Sequence, residues 1–198
     1  MLTDRARRAT RGLVDPVVGL LARTGVTPNA LTVLGCAAHL PVAWFLAQGQ
    51  LLAGAVALAI AAAVDGFDGS LARATGRASR FGAFLDSSLD RTSEILVYLG
   101  LVVWAQANGP PRLVPLVLLV TGGSLMVSYT RARAEGLGSG TKVGVFGRFE
   151  RMLTLVVGLV LNRVEIVLWV LALGTWATTV HRILDVRRRI ASDESAAG

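Results

Sequence analysis

Six apolar stretches, each separated from the next by a short polar or glycine-containing segment, organise most of this 198-residue chain. They run from Thr27 to about Gln48, Leu51 to Thr75, Ser79 to Asn108, Arg112 to Glu135, Arg148 to Leu161 and Val164 to Ile183. A hydrocarbon core of roughly 30 Å needs about twenty such residues in a helix. The pattern predicts an all-α integral membrane bundle of six transmembrane helices. Ahead of it, Arg5, Arg7, Arg8 and Arg11 interleave with Leu13, Val14, Val17, Val18, Leu20 and Leu21. That alternation predicts a basic amphipathic helix lying on the membrane surface. The chain therefore reads as one membrane domain: a juxtamembrane helix over 1–25, the bundle over 26–186, and a basic then polar tail over 187–198. Pro28-Asn29 and Thr32 suit the start of the first spanning helix.

Composition agrees with this pattern. Hydrophobic residues make up 53% of the chain, its mean hydropathy is +0.59, and its net charge is nevertheless +7. An apolar, basic chain fits a bilayer protein beside an anionic leaflet. A nucleic-acid partner is not expected, because apolar runs separate the basic residues. With the N-terminus inside, only Arg112 and Arg163 of the 20 Lys and Arg fall on the outer side. That asymmetry predicts a multi-pass protein of the plasma membrane, with its N-terminus and polar site on the cytoplasmic side. A single cysteine, Cys36, leaves no intrachain disulfide to form. The charged N-terminus lacks an apolar core before a cleavage site, so no cleaved leader is expected.

One polar interruption does not belong to a loop. Asp65, Asp68, Asp86 and Asp90 lie within the second and third apolar stretches. A carboxylate at mid-membrane costs roughly 2.5 to 3.5 kcal/mol on insertion scales. Four unpaired would cost about 10 kcal/mol, comparable to the stability of a whole domain. Clustered carboxylates are compensated most directly by a divalent cation. Asp65 and Asp68 are spaced i,i+3, and Asp86 and Asp90 i,i+4, so each pair shares one helix face. Two helices each presenting two carboxylates make an oxygen-ligand site for one or two hard ions.

The full string is Asp-x2-Asp-Gly-x2-Ala-Arg-x8-Gly-x3-Asp-x3-Asp, filled by Asp65, Asp68, Gly69, Ala72, Arg73, Gly82, Asp86 and Asp90. It resembles the signature of the CDP-alcohol phosphotransferases, and the similarity extends from Thr27-Pro28-Asn29 to the last apolar stretch. The resemblance implies a membrane enzyme that needs Mg²⁺ or Mn²⁺, cleaves a CDP-linked alcohol, releases CMP and joins the remaining phosphoryl group to an acceptor hydroxyl. It implies that Asp65, Asp68, Asp86 and Asp90 ligate two ions and that Asp90 is the general base. It places the segment Asn29, Ala30, Leu31 and Thr32 against the cytidine and pyrophosphate, lets the nucleotide approach the backbone at Gly69 beside Ala72, and puts Arg73 and Ser79 on the CDP moiety. It also implies a homodimer, for which Gly122-Gly123 could allow close helix contact.

Ser128 and Arg131 end the fourth stretch, Arg148 and Arg151 open the fifth, and Arg182 closes the sixth. All five are expected to converge on the inner face, where arginines favour a phosphate-bearing acceptor through paired hydrogen bonds. This pattern resembles the phosphatidylinositol phosphate synthases, which join CDP-diacylglycerol to inositol 1-phosphate. It departs from them at Arg131, where lysine is usual, and at Gly147-Arg148-Phe149-Glu150-Arg151, where Glu-Arg-Pro-Glu-Arg is usual. A phosphatidylglycerophosphate or phosphatidylserine synthase would use the same metal site with another acceptor. A cation transporter would explain buried carboxylates, but not the glycines and Arg73 at signature spacing. Glu94, one turn beyond Asp90, is expected to make a structural hydrogen bond. His39 and His181 are expected at the membrane interface.

Overall fold

The computed structural model describes residues 16–141 and 143–197, and those residues form helices joined by turns and loops, with no strand among them. α1 covers 16–23; Arg5, Arg7, Arg8 and Arg11, expected to form a basic amphipathic helix, all lie outside the described residues. Its Val18 and Leu21 pack with Leu31, Val64, Phe67 and Leu71. The other elements are α2 (Pro28–Ala37), α3 (His39–Ala47), α4 (Leu51–Asp65), α5 (Phe67–Ala74), α6 (Arg80–Asn108), α7 (Leu113–Gly136), α8 (Arg148–Val160) and α9 (Val164–Ala197).

Two of the expected continuous helices are broken. The first divides at Ala38 into α2 and α3. Pro41 accounts for that break: it supplies no N–H to the Ala37 carbonyl, and its ring crowds that group. The second divides at Gly66, the residue that ends α4 and precedes α5. Asp65 and Asp68 therefore flank a helix break and do not share one uninterrupted face. Thr27, not Asn29 or Thr32, caps α2, its side chain accepting the Ala30 N–H at 3.2 Å. Ser79 does the same for α6, accepting from Gly82 N–H at 3.0 Å.

Among the described residues, four stretches are long and apolar enough to cross a membrane: Pro28–Ala47, Leu51–Ala74, Leu113–Gly136 and Val164–Ser192. The other two expected spans fall short for identifiable reasons. α6 carries Arg80, Asp86, Asp90, Arg91 and Glu94 in its first half. α8 has 13 residues, a length of roughly 20 Å at 1.5 Å rise per residue.

The main core is an apolar cluster reaching through the bundle, with Val42, Leu58, Val97, Leu101, Leu155 and Leu168 fully buried. α3 lies on α6 and α7 on α9, with α4 packed on both α3 and α8. Large apolar side chains also point outward: Leu52, Ile60 and Leu173 are 62%, 61% and 69% exposed. That distribution is the one expected when the solvent is lipid. Gly123, considered above for contact between copies, faces α9 of its own chain. A Cβ there would lie 3.0 Å from Thr175 Cβ and 3.1 Å from Trp176 Nε1. Its lack of a side chain serves the α7–α9 crossing.

The 137–147 connection is fastened to α9. Thr141 Oγ1 donates to Asp185 Oδ2 at 2.7 Å, Arg182 Nε donates to the Val143 carbonyl at 3.0 Å, and Phe146 N–H to Thr178 Oγ1 at 3.4 Å. Gly144 adopts φ +104°, a conformation that side chains disfavour, and brings the loop against Thr178.

Candidate active site

The break at Gly66 puts Asp65 at the end of α4 and Asp68 in the first turn of α5, where the helix N-terminus favours a negative charge. Asp68 is buried; it accepts a hydrogen bond from Thr32 Oγ1 at 2.7 Å and another from the Gly69 N–H. Asp86 faces Asp68 across the gap between α6 and α5. Asp90 follows one turn later on α6. Gly35 on α2 makes room for this arrangement, because a Cβ there would overlap Asp65 Oδ1.

Arg148, the first residue of α8, enters this carboxylate row. Its Nη2 binds Asp65 Oδ2 and its Nη1 lies 2.7 Å from Asp90 Oδ1. Its buried Nε has no hydrogen-bond partner. Among the described residues, no three acidic, histidine or cysteine side chains converge in a ready metal cluster. The donor set nevertheless fits a hard divalent cation, since four carboxylates offer the oxygen ligands that Mg²⁺ and Mn²⁺ take. Asp65 and Asp90 spend part of their charge on the Arg148 guanidinium.

On one side of the row lies a cavity of about 250 Å³, lined by Asn29, Thr32, Asp68, Gly69, Ala72, Arg73, Ser79, Gly82 and Asp86 among others. The starts of α2, α5 and α6 meet there. Gly82 permits the closeness, since a Cβ would sit 3.1 Å from Ser79 Oγ and 3.2 Å from Asn29 Oδ1. Of the segment expected to line this space, Asn29 and Thr32 do so. Leu31 instead points into the small core cluster, and Ala30 is exposed. That split follows from helical geometry, because neighbouring residues on α2 cannot face the same side. Arg77 and Ala83 also line the cavity. Arg77 stands in the eight-residue spacer of the signature, so its position beside Ser79 was the available signal.

On the other side is a smaller cavity of about 160 Å³. Its lining includes Asp90, Ser128, Arg131, Arg148, Arg151 and Arg182, so all five residues expected to converge there do so. Their charges are not equally free. Arg151 makes a bidentate ion pair with Glu94, Nε to Oε1 at 2.6 Å and Nη2 to Oε2 at 2.8 Å, and donates to the Phe146 carbonyl at 3.0 Å. Arg182 gives Nε and Nη1 to the backbone carbonyls of Val143 and Val127. Arg131 is half-exposed and pairs with Glu135 at 2.9 Å. Glu94 thus does more than make a structural hydrogen bond: it cancels one arginine charge in the wall. His39 packs inside the bundle. It is 1% exposed, with Nδ1 2.9 Å from the Gly35 carbonyl.

The match to known proteins spans most of this chain. Residues 25–181 match the CDP-alcohol phosphatidyltransferase family. The archaetidylinositol phosphate synthase of Pyrococcus horikoshii is 38% identical over 191 residues, spanning 96% of this chain and 98% of that protein. The phosphatidylinositol phosphate synthase of Streptomyces avermitilis is 33% identical over 213 residues, 99% of this chain and 86% of its own. Among solved structures, Mycobacterium tuberculosis phosphatidylinositol phosphate synthase in complex with manganese and citrate superposes with a TM-score of 0.82 at 32% identity, covering 86% of this chain and 87% of that one. The same protein with CDP-DAG bound gives 0.81 at 32% identity over 87% of this chain and 92% of that one.

Proposed function

This chain belongs to the CDP-alcohol phosphatidyltransferase family, and we propose that it transfers a phosphatidyl group from CDP-diacylglycerol to a hydroxyl of inositol 1-phosphate, releasing CMP. The observation that carries this reading is the pair of cavities flanking one carboxylate row. Asp68 and Asp86 line the cavity with Asn29, Arg73 and Ser79, while Asp90, one turn on, lines the cavity with the arginines. Donor and acceptor would therefore meet across a single turn of α6. The archaetidylinositol and phosphatidylinositol phosphate synthases among its relatives, and a structural neighbour with CDP-DAG bound, support the same assignment.

A divalent cation, Mg²⁺ or Mn²⁺ as one ion or two, held by Asp65, Asp68, Asp86 and Asp90, would neutralise the pyrophosphate and improve CMP as leaving group. The chain's own residues do the rest. Asn29, Thr32, Arg73 and Ser79 hold the CDP moiety, and Gly69 and Ala72 keep that wall shallow. Arg131, Arg148 and Arg182, with Ser128, orient the acceptor by its phosphate; Arg151 contributes whatever N–H groups its pairing with Glu94 leaves. Asp90 takes the proton from the acceptor hydroxyl. The hydroxyl oxygen forms a bond to the lipid-bearing phosphorus as the bond from that phosphorus to the CMP oxygen breaks.

The membrane arrangement belongs to the same proposal. α2–α3, α4–α5, α6, α7, α8 and α9 make six crossings, with the N-terminus and active site facing the cytoplasm at the plasma membrane. Copies associate as a homodimer through outward apolar faces, without Gly123.

A CMP-release assay on purified protein with CDP-diacylglycerol and Mg²⁺ tests the function. Inositol 1-phosphate should be preferred over inositol, glycerol 3-phosphate and serine. Preference for glycerol 3-phosphate or serine would make the chain a phosphatidylglycerophosphate or phosphatidylserine synthase. Cation flux without CMP release would overturn the enzyme reading altogether.

A further inference from the structure

Arg148 stands in two places at once. Two of its guanidinium nitrogens bridge Asp65 at the end of α4 and Asp90 on α6, the first and last carboxylates of the motif. The same side chain lines the arginine-rich cavity, where its buried Nε finds no acceptor. A guanidinium that neutralises two carboxylates occupies the electrostatic role a divalent ion would take, and both cannot hold the same oxygens. A buried N–H without an acceptor is unfavourable. A phosphate in the cavity would supply acceptors for Nε and the adjacent Nη in the bidentate geometry that arginine matches.

We propose that Arg148 is a mobile counter-cation that couples the two halves of the site. It holds Asp65 and Asp90 while no divalent ion is bound, and gives them up to one as its guanidinium turns to the acceptor's phosphate. Metal and acceptor then bind cooperatively, and by linkage each tightens the other by the same factor. The inference rests on the metal and acceptor assignments above, and it adds an order to them: acceptor phosphate is gripped fully only in the metal-loaded site.

The test measures Mn²⁺ binding by electron paramagnetic resonance on the full-length protein in detergent, without donor, with inositol 1-phosphate or inorganic phosphate as probe. In the wild type, phosphate should tighten Mn²⁺ binding about fivefold or more. Arg148→Gln should bind Mn²⁺ about tenfold more tightly than wild type without phosphate, and phosphate should no longer help. Arg148→Lys, whose single ammonium cannot bridge both carboxylates as the guanidinium does, should lie between them and guards against a folding defect in the glutamine variant. Arg131→Gln removes a charge from the same cavity without touching the carboxylates, and should shift Mn²⁺ affinity far less. An unchanged Mn²⁺ affinity in both Arg148 variants, a phosphate effect that survives in Arg148→Gln, or an equal shift in Arg131→Gln overturns the proposal. A wrong acceptor assignment shows separately, as preference for an unphosphorylated alcohol in the CMP-release assay while the Arg148 variants still bind Mn²⁺ more tightly.

Discussion

Arg151 and Glu94 face each other with two hydrogen bonds, at 2.6 and 2.8 Å, and their side chains are only 1% and 3% exposed. The pair fastens the first turn of α8 to α6 beneath the arginine-lined cavity. Breaking one partner of a buried pair leaves an uncompensated charge, at about 3 to 5 kcal/mol. Glu94→Gln and Arg151→Gln should each lower the thermal midpoint of the purified protein markedly. A midpoint equal to wild type in both would show that the pair contributes nothing to stability. Any kinetic effect of Arg151 substitutions must be read against this loss.

Asp68→Asn and Asp86→Asn should each abolish turnover while the protein still inserts and folds. Each removes a carboxylate from a row whose proposed task is to hold a charged ion against a charged substrate. More than about a tenth of wild-type activity in either variant at saturating Mg²⁺ would sink the assignment, since one lost ligand should cost well over tenfold. Chelation by EDTA should silence the wild type, and Mg²⁺ or Mn²⁺ should restore it.

Asp90→Asn separates the base from a simple ligand. Loss of a general base typically lowers the rate about 10² to 10⁴-fold. CDP-diacylglycerol binding, measured independently of turnover, should change much less. If donor binding were lost and the rate at saturation kept, Asp90 would be a ligand only.

Arg131 and Arg182 bear on the acceptor. Hydrogen bonds to a charged group are worth roughly 1.5 to 3 kcal/mol each, so Arg131→Gln or Arg182→Gln should raise the KM for inositol 1-phosphate about tenfold to a hundredfold. The KM for CDP-diacylglycerol should stay near wild type, because Arg73 lies in the other cavity. Arg131→Gln is the cleaner variant, since Arg182 also supports two backbone carbonyls. An unchanged acceptor KM in both would reduce these arginines to topology signals.

Gly35→Ala tests packing behind the site. Its added methyl must displace the Asp65 carboxylate, so turnover and Mn²⁺ affinity should fall together. Overpacking of this kind costs about 1 to 3 kcal/mol. Wild-type activity with normal metal affinity would show that Asp65 can shift freely.

Helix positions were legible because lipid imposes a length and an apolar composition on any segment within it. Six stretches read from the chain became the elements α2 to α9, with the two breaks at Ala38 and Gly66 lying inside them. Pro41 was a visible warning of the first. The break at Gly66 carried no comparable signal, since glycine is tolerated within membrane helices. Much of the membership of the two cavities was legible for a similar reason: Asp68, Arg73, Asp86 and Asp90 of the motif and the terminal arginines are too polar for lipid, so they gather together.

What the chain alone determined was therefore the inventory: which segments form helices, which carboxylates need a compensating charge, and which arginines gather beside them. Local composition controls all of that through transfer free energy, residue by residue. Which partner each charge takes was decided only in three dimensions. Glu94 meets Arg151 over a separation of 57 residues, and Asp65 meets Arg148 over 83. Such pairings depend on how α6, α4 and α8 cross, and neither helical period nor charge count contains that geometry. The fold thus spends Arg151 on a buried pair and leaves Arg148 between the carboxylates and the acceptor cavity, although the two arginines are three residues apart on one helix.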